Sequence, residues 1–171
     1  MNIQAIVYTS NTGHTAQYAR LLAKKTGLRA YPLEEAEEHV PLGAEIIYMG
    51  WIMVGKVQGL LAAARRYHVM AVCAVGVSPT GSQLAVVRQA NGLGEETPLF
   101  TLQGGLELSK LHGVKKLLLK SMGASMGRAL LSKDHRTAEE EATLDLFRRG
   151  GSCVSMQNLH DVAAWYEAQK K

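Results

Sequence analysis

Short apolar runs rich in β-branched residues alternate along this chain with segments of helical period, and that alternation limits what it can fold into. Residues 3–8, 28–33, 45–50, 68–77 and 98–102 read as five strands. Helix patterns fall at residues 16–25, 56–67, 82–91 and 158–169. Ala19, Leu22 and Ala23 mark the inward face of the first helix, and Leu60, Leu61 and Ala64 that of the second. Leu159, Val162, Ala163 and Tyr166 do so for the last. Gly27 and Gly92 stand where a left-handed residue would stop a helix. Residues 68–77 are apolar on both faces, as a central parallel strand is. Strand and helix alternating at this spacing predict an α/β fold, a parallel sheet with helices on both faces. Right-handed crossovers leave few topologies for it.

The 171 residues suit a single domain, 1–171. An apolar share of 47% is too high for a disordered chain. No apolar run reaches the roughly 18 residues of a membrane span, and the first residues lack the basic start of a secretion signal. Cys73 and Cys153 make no disulfide framework, and no C-x-x-C occurs. The expected location is therefore cytoplasmic. The six histidines lie more than 20 positions apart, so no local zinc pattern exists.

The strand–helix rhythm breaks at residues 103–152, too long for an ordinary loop. Within this insertion Val114, Leu118, Met122, Met126 and Leu130 recur every fourth position, predicting an amphipathic helix over 114–131. Lys115, Lys116 and Lys120 lie toward its other side. Such a helix could cover the sheet edge, form a lid, or lie on an anionic membrane surface, which would make the protein peripheral there. Residues 136–144 read as an acidic, solvent-facing helix, and residues 34–38 as a solvated acidic link. Charge is concentrated here too. Residues 103–136 hold seven basic and two acidic side chains, a balance of +5. The other twelve basic and thirteen acidic residues give −1. One segment supplies the whole positive balance, which implies a local anionic partner or simply a solvated helix face. Nucleic acid is not expected, because aromatics are few and no recognition module is present.

Three loops carry the candidate chemistry. The first, Thr9-Ser10-Asn11-Thr12-Gly13-His14-Thr15, joins the first strand to the first helix. That is the sheet edge where ligands of open α/β folds bind. Four hydroxyls, an amide and a glycine precede a helix start with free N–H groups and a positive dipole end. They make a cradle for a phosphate monoester, although one hydroxyl alone would serve as an ordinary cap. The second, Gly50-Trp51-Ile52-Met53-Val54-Gly55-Lys56, is formally a nucleotide triphosphate P-loop. Val57 stands where the magnesium hydroxyl should be, and the interior is bulky, which argues against ATP. The third, Gly76-Val77-Ser78-Pro79-Thr80-Gly81-Ser82, is turn-like and is not a G-x-S-x-G elbow.

The first loop resembles the flavodoxin fingerprint T/S-x-T-G-x-T, in its place after the first strand. The resemblance covers nearly the whole chain. It implies a flavodoxin-like five-stranded parallel sheet of order 2-1-3-4-5, with a helical insertion after Leu102. It implies FMN as cofactor, its phosphate held by Ser10, Asn11, Thr12, Gly13, His14 and Thr15. Trp51, Ile52, Met53, Val54, Gly55 and Lys56 would then lie at the flavin ring, with Trp51 suited to stacking. Val77, Ser78, Pro79 and Thr80 would form the second flavin-edge loop. Flavodoxins are usually acidic around the flavin and often stack a tyrosine from the third loop, and this chain does neither. Leu102-Gln103-Gly104-Gly105-Leu106, leading into Leu117-Leu118-Leu119-Lys120-Ser121-Met122-Gly123, is similar to the insertion of the menaquinone-dependent protoporphyrinogen IX dehydrogenases. That likeness implies an FMN oxidoreductase acting on a quinone- or porphyrinogen-like substrate. Lys56 near the ring would raise its potential. Two other readings stand beside it: an electron carrier that docks a redox partner protein, and a scaffold of the same shape that binds no flavin.

Overall fold

The computed structural model of the chain describes residues 1–106 and 137–170, together with Ser132 and His135. The expected helix at 114–131 and most of the basic segment lie outside the described residues. The first strand, β1 (Ala5–Thr9), leads through a turn into α1 (His14–Thr26) and then β2 (Arg29–Pro32). A 3-10 turn (Ala36–Glu38) precedes β3 (Glu45–Met53), β4 (Lys56–Val57) and α2 (Leu60–Ala64). Next come β5 (His68–Gly76), α3 (Leu84–Asn91), β6 (Leu99–Gln103) and β7 (Gly105–Leu106). The chain ends with α4 (Ala138–Arg149), β8 (Gly151–Ser152), a 3-10 turn (Gln157–Leu159) and α5 (His160–Gln169).

The fold is α/β. The main sheet runs β2-β1-β3-β5-β6 with every neighbour parallel. The five parallel strands therefore follow the expected 2-1-3-4-5 order. Strand β4 is an addition, antiparallel to β3. Helices cover both faces. Tyr18, Ala19 and Leu22 of α1 pack with Val162, Ala163 and Tyr166 of α5 over Ile6, Ile47, Met49 and Cys73. On the other face Leu60 and Ala63 of α2 and Val87 of α3 cover Val7, Tyr48 and Val72. Successive strand residues alternate between these two clusters, as the pleat requires. Gly27, at φ 79, ends α1 as a left-handed cap, its N–H bonded to Ala23 O at 2.9 Å.

Four expectations fail, each for a local reason. Residues 56–67 do not form one helix. Lys56 and Val57 pair with Met53 and Ile52, and only Leu60–Ala64 are α-helical. Gly59 explains the break: at φ 81 a Cβ there would strike the Tyr48 and Thr9 hydroxyl oxygens. The buried face of α2 is then Leu60 and Ala63, while Leu61 is 68% exposed and Ala64 is exposed. Trp51, Ile52 and Met53 belong to β3 rather than to a loop. Residues 34–38 are not wholly solvated, because Ala36 is buried against Tyr67 and Val40. Within 136–144, Thr143 and Leu144 are buried, and further along α4 Leu146 packs on Leu106, so this helix has an inner face. Among the described residues no helix is long and apolar enough to cross a membrane.

Candidate functional site

The sheet order reverses between β1 and β3. Crossovers from β1 leave toward opposite edges, which opens a crevice at the strands' carboxyl ends. The loop at residues 10–13 sits there. Thr9 pairs with Gly50, so Trp51 begins where β1 ends, and Trp51 pairs in turn with Val75. The first loop and the ends of β3 and β5 therefore meet at one edge.

Gly13, at φ 102, turns the chain into α1, a conformation L side chains rarely adopt. Among the described residues a Cβ placed on it would meet nothing within 4 Å, so the turn is open on that side. Helix α1 starts at His14, and the N–H groups of its first turn lack acceptors within the helix. Ser10 Oγ accepts a long bond from the Ala16 N–H at 3.3 Å. As an acceptor there, the serine keeps its own proton to donate elsewhere. Thr12 Oγ1 lies 2.9 Å from His14 Nδ1. Asn11 is exposed, while His14 and Thr15 are buried. Thr9 faces a different partner, the Tyr48 hydroxyl at 2.8 Å. Tyr48 donates its own proton to Gln58 O at 2.7 Å, and burial pushes its pKa up to about 12. Of the loop's four hydroxyls, those of Ser10 and Thr12 thus remain at the open turn.

The second loop is different. Val54 (φ 49) and Gly55 (φ 75) form a two-residue turn with both residues left-handed, the geometry that favours tight hairpins. Asn91 of α3 fixes this hairpin: its Oδ1 accepts from the Val57 N–H at 2.9 Å. Its amide donates to Gly55 O at 2.9 Å and Val87 O at 2.7 Å. A Cβ on Gly55 would press on Ala90 at 3.2 Å. Asn91 binds this turn at the Gly55 carbonyl and the Val57 N–H, and the P-loop spelling is a hairpin. Lys56 lines a groove with Leu61, Arg65 and Leu93, between α2 and α3 and across the sheet from α1. Trp51, half-buried, shares the strand face of Ile47 and Met49, which is the α1 side.

The third loop is tied to β6. Thr80 Oγ1 accepts from the Gln103 N–H at 2.9 Å, and Gly81 donates to Thr101 O at 2.9 Å. Gln103 Nε2 reaches Val77 O at 3.3 Å and Thr143 Oγ1 at 3.1 Å. Ser82 donates to Pro79 O and accepts at its own carbonyl from Thr101 Oγ1. Val77, Ser78 and Pro79 are half-buried and Thr80 is exposed.

A buried polar clamp, absent from the sequence reading, holds the two ends of the insertion. The Tyr18 hydroxyl donates to Gln103 O and accepts from Asn158 Nδ2 at 2.6 Å. Asn158 Nδ2 also reaches Cys153 O at 2.9 Å. Burial raises the Tyr18 pKa, opposed by its Asn158 hydrogen bond. Above the clamp, Gly105 pairs with Ser152 and Leu106 with Gly151, a two-stranded neck. The helical period that puts Tyr18 one turn after His14 was the available signal. Its partners, 85 and 140 positions away, gave none.

Among the described residues no group of three or more His, Cys, Asp or Glu side chains is placed to hold a metal ion. No protein-family model matches the chain, and a comparison with curated proteins finds no similar sequence.

Proposed function

We propose that the chain is a flavodoxin-like FMN-binding oxidoreductase. One observation carries this reading: at the point where the sheet order reverses, the open left-handed turn at Gly13 brings the Ser10 and Thr12 hydroxyls to the start of α1. The residues present fit a phosphate monoester. Ser10 retains a donor, the first-turn N–H groups are oriented outward along the helix, and no described residue apart from its chain neighbours lies within 4 Å of where a Cβ on Gly13 would stand. Trp51 begins at the same edge and offers an aromatic face for a planar ring. Val77, Ser78 and Pro79 would border that ring from the end of β5. Bound FMN would supply the redox chemistry. The chain's part is to hold the phosphate, orient the ring and shield its face. Lys56, placed in the α2–α3 groove, takes no part in tuning the flavin in this reading.

The quinone- or porphyrinogen-like substrate rests on the likeness of residues 102–123 to the protoporphyrinogen dehydrogenase insertion, and the anionic surface on the +5 balance of residues 103–136. The visible absorption spectrum after adding FMN and removing the excess is the first test. A bound, structured flavin spectrum is expected; colourless protein after reconstitution overturns the proposal. Turnover of a quinone, against reduction by a carrier reductase without substrate, then separates enzyme from electron carrier. Sedimentation with anionic but not neutral liposomes is the expected behaviour of the basic segment.

A further inference from the structure

The His14 side chain connects two features that the sequence keeps apart. On one side its Nδ1 lies 2.9 Å from the Thr12 hydroxyl of the open turn. On the other its ring lies against the glycines of the neck. A Cβ on Gly105 would land on His14 Nε2 and Cε1, and one on Gly104 would come within 3.4 Å of His14 Cβ. His14 is 5% exposed, so the ring is confined between turn and neck. Tyr18, one turn further along α1, grips the same neck at its base through Gln103 and Asn158. One face of α1 thus carries the neck while its first turn carries the candidate phosphate cradle.

We propose that His14 is a positioning residue through which the neck sets the phosphate affinity of the loop. With its proton on Nδ1, the imidazole donates to Thr12 Oγ1. The Thr12 hydroxyl proton is then left to point into the cradle. Neck glycines at 104 and 105 leave room for the ring to hold that position. A side chain at 105 pushes the ring and with it Thr12. The inference rests on the FMN reading of the same loop, and it concerns the phosphate rather than the flavin ring.

The experiment compares FMN with riboflavin, which lacks the phosphate, by quenching of flavin fluorescence in the full-length protein. Gly105→Ala should weaken FMN binding about tenfold, the equivalent of one lost hydrogen bond, and leave riboflavin binding within about threefold. His14→Phe keeps a ring against the neck but removes the donor, and it should show the same split. It also guards against misfolding of Gly105→Ala, whose new methyl would press on Gly151 O as well. His14→Asn, with an amide nitrogen near the Nδ1 position, should recover most of the FMN affinity. Equal losses for FMN and riboflavin in the His14 and Gly105 variants overturn the inference, as does no loss at all, and both leave the cofactor assignment standing. Wild-type protein that binds neither flavin, or binds riboflavin as tightly as FMN, overturns the phosphate cradle and this inference together.

Discussion

Two glycine-containing turns leave the same edge of the sheet, and they are opposites. The turn at Gly13 is open, with hydroxyls at its rim and nothing over its glycine. The turn at Val54–Gly55 is closed, its backbone bonded to Asn91 and its glycine packed on Ala90. Both contain the residue types that suggest phosphate binding in a sequence. What separates them is where their backbone polar groups go, since a buried N–H or C=O must find a partner. In the first turn the helix start leaves donors over. In the second a side chain from another helix binds one N–H, of Val57, and one carbonyl, of Gly55.

Variants can break or sharpen this contrast. The largest effect is expected from Gly13→Val. A β-branched residue at φ 102 is strained and its side chain enters the open space. FMN affinity should fall at least about a hundredfold, roughly 2.7 kcal/mol, read by flavin fluorescence. An unchanged affinity would mean that the open turn is not the cradle. Asn91→Ala should do the reverse. It removes three hydrogen bonds at once, and urea denaturation should show a loss of about 2–3 kcal/mol. FMN affinity should move less than about threefold, well below one kcal/mol. If it fell with stability, the hairpin would belong to the site and the contrast would collapse.

Tyr48 lies between the two turns, bonded to Thr9 beside the first and to Gln58 just after the second. Its folded pKa of about 12 stands above the usual tyrosine value of 10.0. As pH rises past 10 the unfolded chain loses this proton first, so stability should fall between pH 10 and 12. Two units correspond to about 3 kcal/mol at most. Urea midpoints across that range should drop more steeply in the wild type than in Tyr48→Phe. Parallel curves would show that Tyr48 is not the group responsible. The smallest effect belongs to Val54→Asn. Valine at φ 49 is an outlier, whereas Asn-Gly is the preferred pair for this turn. The unfolding free energy from urea denaturation should rise by about 1 kcal/mol, with FMN affinity unchanged. A fall in FMN affinity would place the hairpin tip at the flavin.

These contrasts follow the line between what the sequence made legible and what it did not. Thr9 through Thr15 was readable because strand, turn and helix start are set by neighbours in the chain. The parallel α/β class was readable because five apolar runs alternate with helices, while the strand order came only with the flavodoxin resemblance of the first loop. The hairpin was not, since valine disfavours the left-handed turn it occupies and the anchor Asn91 lies 34 positions from Val57. The split of residues 56–67 falls at a left-handed Gly59 packed so close to the Tyr48–Thr9 pair that a Cβ would not fit, a contact that only the folded sheet creates. Apolar periodicity marked Leu60 correctly but carried Leu61 inward with it. The clamp of Tyr18, Gln103 and Asn158 joins three polar residues that look like surface in any local window.

That clamp also makes residues 107–150 a replaceable cassette. Their two ends are already brought together at the Leu106–Gly151 pair, and α4 packs back on the neck through Leu146 and Thr143, so a change of length outside α4 leaves the sheet's pairing alone. Doubling a closed loop costs only about 0.6 kcal/mol of closure entropy. Insertions or deletions there would cost the sheet below little stability.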